Sequence, residues 1–193
     1  MQTPQEIPLE VYTETTPNPE SLKFVLNKML LPNRSIDFRD KSQAANSPLA
    51  TALFELPFVE GIFIANNYIT ITKQAAHEWI EISPQLRHLI KKYILGGKQA
   101  LDPSAPASPN ATDIGATDIE SKIIQLLDTY VKPAVENDGG AIRFKSYKDG
   151  IVTLILQGAC SGCPSSSITL KAGIEGLLQR MVPEVKEVIA EEG

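Results

Sequence analysis

Near the middle of the chain, Leu101 to Ala116 read LDPSAPASPNATDIGA, three prolines among Ser, Ala, Asn and Gly, with no apolar residue recurring at helical or strand spacing. A segment of this kind offers neither an apolar stripe nor an apolar face to bury, and it reads as an interdomain linker. It excludes one continuous core and divides the chain into two small domains, residues 1–101 and 117–193, joined by a flexible linker at 102–116. About fifteen flexible residues have a root-mean-square reach of roughly 20 to 25 Å, so the two domains are expected to move independently.

In the first domain LEVYTET and SLKFVL have strand composition and are separated by TPNPE, whose prolines and Asn18 mark a turn. SPLATALFEL predicts a short helix with Ser47 as cap and Pro48 at its first position. VEGIFIANNYITITK gives two β-rich runs around Asn66-Asn67, a hairpin signal because asparagine tolerates positive φ. AAHEWIEI and SPQLRHLIKKYILGG follow as a helix or broken helix, restarted at Ser83-Pro84 and stopped at Gly96. Trp79, Ile82, Leu86, Leu89 and Ile90 fall on one face of it.

The second domain opens with TDIESKIIQLLDTYV, in which Thr117 and Glu120 have capping-box spacing and Ile123, Leu126, Leu127 and Tyr130 form an apolar stripe. Pro133 bends or ends that helix, and NDGG, Asn137 to Gly140, predicts a turn. AIRFKSY and GIVTLILQG read as antiparallel strands joined near Asp149-Gly150. SITLKAGIEGLLQRMV then places Leu170, Ile174, Leu177, Leu178 and Met181 on one helical face, ended by Pro183, and EVKEVIA predicts a last strand at a sheet edge. The expected fold class is α+β: two small mixed α/β domains, the second running helix, hairpin, cysteine loop, helix, short strand.

A net charge of −5 and the absence of basic runs longer than Lys91-Lys92, read as a solvated helix face, argue against a nucleic-acid partner. No apolar run approaches the roughly 18 residues that span a bilayer, so no membrane partner is expected. The start, MQTPQEIPLEV, lacks a basic stretch followed by an apolar one, which predicts a cytoplasmic location.

Both cysteines of the chain, Cys160 and Cys163, lie in GACSGCPSSS. In a reducing compartment such a pair is a metal site or a redox pair before it is a structural staple. Between a strand and a helix start, where Pro164 suits the first helical turn, backbone N–H groups and the helix dipole stabilise thiolates. Gly158 and Gly162 let the backbone curl close to whatever the sulfurs hold. From Gly150 to Leu170 there is no charged side chain, so the charge of a bound thiolate centre would fall on N–H groups and on the hydroxyls of Ser161, Ser165, Ser166 and Ser167. Two thiolates are too few for a zinc site or a common iron–sulfur cluster, and His77 and His88 lie across the linker, read as ordinary helix-surface residues. A metal held here is most simply shared by two chains at a two-fold axis. Spacing leaves zinc, iron–sulfur, a thioredoxin-like dithiol and a merely structural loop open, although the strand order around the motif argues against the dithiol.

The runs DGGAIRF, DGIVTLILQGACSGCPSSSITLKAGIEGLL and VPEVKEV closely resemble the NifU-like carboxy-terminal domain of Nfu-type iron–sulfur proteins. TPNPESLKF and FVEGIFIANNYITITK look like the Nfu amino-terminal domain. The resemblance implies a non-enzymatic scaffold or carrier. In it Cys160 and Cys163 bind a labile cluster, commonly [4Fe-4S] with [2Fe-2S] as the alternative, shared between two subunits of a homodimer and passed to apo iron–sulfur client proteins. Upstream cluster-assembly proteins are the other expected partners. The resemblance favours iron–sulfur over zinc, which spacing does not; a thiol-disulfide oxidoreductase or a zinc-bridged dimeric binding module is the alternative. Where the family often has an acidic residue after the glycine pair, this chain has Ala141, which removes any carboxylate role there and leaves both cysteines untouched. The linker would let the first domain dock a client while the second delivers; a folding or solubility role for the first domain is the other reading.

Overall fold

Strands β1 (Val11–Thr15), β2 (Ser21–Leu26) and β3 (Leu31–Phe38) join the hairpin β4 (Val59–Asn66) and β5 (Tyr68–Lys73) in an antiparallel five-stranded sheet of order β1-β2-β5-β4-β3. Successive side chains of a strand point to opposite faces. Leu22, Phe24 and Leu26, Ile62 and Ile64, and Ile69 and Ile71 therefore share one face, buried in a single apolar core. Helix α1 (Pro48–Leu53) adds Leu49, Ala50 and Leu53 to that core, and helix α2 (Trp79–Leu95) adds Ile82, Leu86, Ile90 and Ile94. The computed structural model describes residues 8–102, 117–161 and 164–192. Most of the segment read as a linker, residues 103–116, lies outside them, as do Gly162 and Cys163.

The turn residues behave as their chemistry dictates. Asn66 adopts φ +42° between β4 and β5. Two expectations change. Strand β3 was not expected, since Pro32, Arg34 and Asp37 interrupt any apolar alternation; it lies at the sheet edge with a register shift between Leu31 and Ser35, where a proline need not donate to the ladder. Helix α2 is one continuous piece from Trp79, with Pro84 inside it, and His77 precedes it. Near the helix start Pro84 forfeits only the bond to the carbonyl of Ile80, an exposed residue.

In the second domain α3 (Asp118–Leu126) begins with a capping box: Thr117 N donates to Glu120 Oε2 at 2.9 Å and Glu120 N donates to Thr117 Oγ1 at 3.3 Å. Pro133 does not end the helical run. The turn widens to π geometry over Leu127–Val131 and continues as α4 (Lys132–Asn137), whose first turn accommodates the proline. Strands β6 (Gly140–Lys148) and β7 (Ile151–Gly158) pair antiparallel through Asp149 and Gly150, at φ +55° and +90°. Helix α5 (Pro164–Met181) returns the chain so that β8 (Glu187–Glu192) pairs with β7 in parallel at the sheet edge. The motif thus follows a strand inside a βαβ crossover, contrary to the expected strand order. Ile123, Leu126, Val135, Ile142, Val152, Leu154, Ile174, Leu178 and Val188 make this domain's core, whereas Met181, expected in the α5 stripe, is exposed.

The two domains also touch, which the expectation of independent movement did not include. The outer face of the first sheet, carrying Val25, Phe63, Ala65 and Tyr68, forms a second buried apolar cluster with Ala141 of β6. Within the first domain, Ser47 is the most consequential polar residue: fully buried, it donates to the Ala100 carbonyl at 2.6 Å and accepts from Ala50 N at 3.1 Å. Ser47→Ala removes the cap of α1 and strands a buried carbonyl, and is expected to lower stability by about 1 to 2 kcal/mol, read as a fall in the urea midpoint.

Candidate functional site

Strand β7 ends at Gly158 in a positive-φ conformation (+65°) that turns the chain into the cysteine loop. The loop closes on itself and on the NDGG turn: Ser161 N donates to Gly158 O at 3.0 Å and Ala159 N to Gly139 O at 3.3 Å. Cys160 is 7% exposed and joins the core of the second domain. A Cβ at Gly140 would stand 2.8 Å from Cys160 Sγ and 2.7 Å from Gln157 O, so only glycine lets β6 pass this close to the thiol. The eighteen-residue helix α5 starts at Pro164, three positions from Ser161, which places the loop at a helix N-terminus as expected. Cys163, Gly162 and the side chains of Ser165, Ser166 and Ser167 lie outside the described residues.

Charge, absent from the sequence flanking the loop, arrives from the first domain. Arg39, just beyond β3, donates through Nη2 to Ser161 Oγ and through Nη1 to Glu192 Oε2 at 3.1 Å, with its Nε 3.6 Å from Asp37 Oδ2. Asp37 is hydrogen-bonded to the Gly158 backbone. The glycine turn is held in the same way. Thr70 Oγ1 donates to Gly139 O at 2.6 Å, Tyr68 OH to Gly140 O at 3.1 Å, and Lys23 Nζ to Asn137 O at 3.1 Å, at the carbonyl end of α4. Lys23 also pairs with Glu14 at 3.0 Å and sits 4.7 Å above the Tyr68 ring. Burial, reinforced by Glu136 and Cys160, pushes the Tyr68 hydroxyl well above its ordinary range, which keeps it a donor. Gly158 packs against Phe63: a Cβ there would meet its ring at 2.9 Å and Gly139 O at 2.7 Å.

None of Lys23, Asp37, Arg39, Phe63, Tyr68 and Thr70 was singled out as a site residue from the sequence. In β2 and β5 the outward positions alternate with core residues and look like a solvated face; no local signal ties them to residues some seventy or more positions away. His77 packs against Phe58, ring centroids 5.5 Å apart, and His88 is exposed on α2, so neither approaches the loop. Among the described residues no group of three or more His, Cys, Asp and Glu side chains converges on one point, and no helix is long and apolar enough to cross a membrane.

Burial raises Asp37 from 3.8 to about 6, against the lowering pull of Arg39 and of the Gly158 hydrogen bond, with Glu192 adding to the rise. A carboxyl that holds its proton more tightly in the folded chain stabilises that state below pH 3.8, loses the contribution as pH rises towards about 6, and changes nothing beyond. Asp37→Asn is therefore expected to flatten this step, on the order of 3 kcal/mol at most, visible as the difference between wild-type and variant urea midpoints over that range.

Residues 11–97 match the family model described as scaffold protein Nfu/NifU N terminal, and residues 123–189 match the NifU-like domain. A Drosophila sechellia protein named "NFU1 iron-sulfur cluster scaffold homolog, mitochondrial" is 42% identical over 182 residues, 92% of this chain and 63% of its own length. The Homo sapiens protein of the same name is 38% identical over 179 residues, 92% of this chain and 70% of its own. This chain therefore spans 63% of the fly relative. The solution NMR structure of a NifU-like protein from Saccharomyces cerevisiae shares 27% identity at a TM-score of 0.47, over 54% of this chain and 93% of that one. Both relatives' names place them in mitochondria, where the sequence start suggested cytoplasm. With both of its domains matched and 38% identity across 70% of the human protein, the chain belongs to the Nfu family of NifU-like proteins.

Proposed function

We propose that this protein is a non-enzymatic scaffold and carrier of iron–sulfur clusters. Its cargo is a [4Fe-4S] cluster, with [2Fe-2S] as the alternative, bound between two copies by Cys160 and Cys163 of each and passed to apo client proteins after loading from upstream assembly proteins. The units are residues 1–101 and 117–193 with a linker at 102–116. The location is a reducing compartment, cytoplasmic by our reading of the sequence and mitochondrial in the names of the relatives.

The observation that carries the reading is the place of Cys160 in a chain of this family: at the end of β7, at a helix start, with a single two-cysteine motif to offer. Two thiolates make half of a four-thiolate site, so a second copy completes it. A shared site of this kind releases its cargo by stepwise ligand exchange, each incoming client thiolate replacing one of the carrier's. No proton relay or oxidant is needed, because the ligands are exchanged and no covalent bond of the client is broken.

The βαβ setting of the motif favours one second reading, a dithiol that cycles as a disulfide, since such pairs also sit between a parallel strand and a helix start. Anaerobic reconstitution of the full chain with iron and sulfide, followed by optical and Mössbauer spectra, metal analysis and sizing, separates the two. One cluster per two chains, lost in Cys160→Ala, is the expected outcome. Zinc in place of iron, or no metal together with turnover of a disulfide substrate, would overturn the carrier.

A further inference from the structure

Two faces of the first sheet are buried, and only one of them by its own helices. The inner face packs on α1 and α2 through Phe24, Ile62, Ile64, Ile69 and Ile71. The outer face carries Lys23, Val25, Phe63, Tyr68 and Thr70, all under 8% exposed. An outer face dressed with aromatics, a lysine and a threonine is that of a recognition surface, with apolar contact at the centre and donors around it. What it recognises is specific. Its donors meet the carbonyls of Asn137, Gly139 and Gly140, and its Phe63 ring lies where only a glycine at 158 fits. On the two sides of Cys160, Asp37 holds Gly158 and Arg39 holds Ser161.

We propose that the outer face of the N-terminal sheet is a docking surface for the cysteine loop of its own chain, clamping it with Cys160 turned inward, and that a second copy must displace it to share a cargo. The clamp grips Gly158 and Ser161, so the backbone between them is not able to swing Cys160 out of the core while Asp37 and Arg39 stay in place. Tethering through residues 102–116 gives the surface an effective concentration in the millimolar range, against micromolar concentrations of a second copy. Displacement therefore requires roughly a thousandfold advantage, which four iron–thiolate bonds supply and a bare pair of loops does not. An empty chain stays closed and monomeric; a loaded one opens. The competition rests on the carrier reading, whereas the clamp does not.

The test uses the full apo chain, reduced and anaerobic. Alkylation by N-ethylmaleimide is followed by mass spectrometry, with fragment ions that separate Cys160 from Cys163. Arg39→Ala is expected to raise the alkylation rate of Cys160 about tenfold, the loss of charge-assisted hydrogen bonds to the loop, and Thr70→Val to raise it several-fold. Arg39→Lys restores part of the protection, and Arg87→Ala, on α2 against the opposite face of the sheet, where it donates to Thr13, leaves the rate unchanged. Thermal unfolding of each variant excludes a folding defect as the cause. X-ray scattering of the wild-type apo chain is expected to show the two domains in contact, and Arg39→Ala to form the loaded dimer at about tenfold lower chain concentration. Unchanged alkylation in both Arg39→Ala and Thr70→Val, or separated domains in the wild-type apo chain, overturns the docking surface even if clusters bind. Faster alkylation in the variants, together with failure of the wild-type chain to take up iron on reconstitution with iron and sulfide, sustains the clamp and overturns the carrier reading alone.

Discussion

The close approach of Gly158, Gly139 and Phe63 is the contact on which the arrangement of the two domains depends. A positive-φ glycine ends β7, its missing side chain leaves room for an aromatic ring from β4, and the neighbouring carbonyls are turned towards donors on β2 and β5. Burying a sheet face that bears a lysine, a tyrosine and a threonine is unfavourable unless each polar group finds a partner. Here each does, and the partners are main-chain carbonyls of the glycine turn or of the end of α4. The seam between domains is held together by backbone geometry more than by side-chain pairing, which is why glycines recur on one side of it and donors on the other.

The parts of this fold that are legible in the sequence are those whose cause is local. The capping box at Thr117 and Glu120, the Asn66 and Asp149-Gly150 turns, the cap at Ser47 and the place of Cys160 between a strand and a helix each follow from a few adjacent residues. The misses have non-local causes. Strand β3 exists because β4 offers it an unpaired edge, not because LPNRSIDF alternates. Pro84 is tolerated because it falls near a helix start at a solvent-facing position. The parallel pairing of β8 beside β7 is a property of the crossover, invisible in EVKEVIA. Covering of the outer sheet face left no trace in the alternation of SLKFVL or YITITK, since a recognition surface and a solvated one share the same polar spacing.

The electrostatics of the loop follow the same division. Its own sequence supplies hydroxyls and N–H groups and no charge from Gly150 to Leu170. Arg39 and Asp37 come from the other domain, so the potential at the cysteines depends on whether the domains are together. A single chain can then present two electrostatic environments around Cys160 without any change in covalent structure. One holds the Arg39 guanidinium, with Asp37 and Glu192 beside it, hydrogen-bonded at Ser161; the other lacks Arg39 and Asp37.

The ring of Phe63 against Gly158 also bears on how such a chain can be recombined. A side chain at 158 is excluded twice, by the Phe63 ring across the seam and, within its own domain, by Gly139 O at 2.7 Å and a φ of +65°, whereas a smaller residue at 63 leaves a void beside the glycine. Position 158 is thus fixed by its own domain, and position 63 is fitted to it from the other. A chimera that takes its first domain from one relative and its second from another inherits both domain cores intact, yet it closes without a void only when its first domain brings a ring at 63.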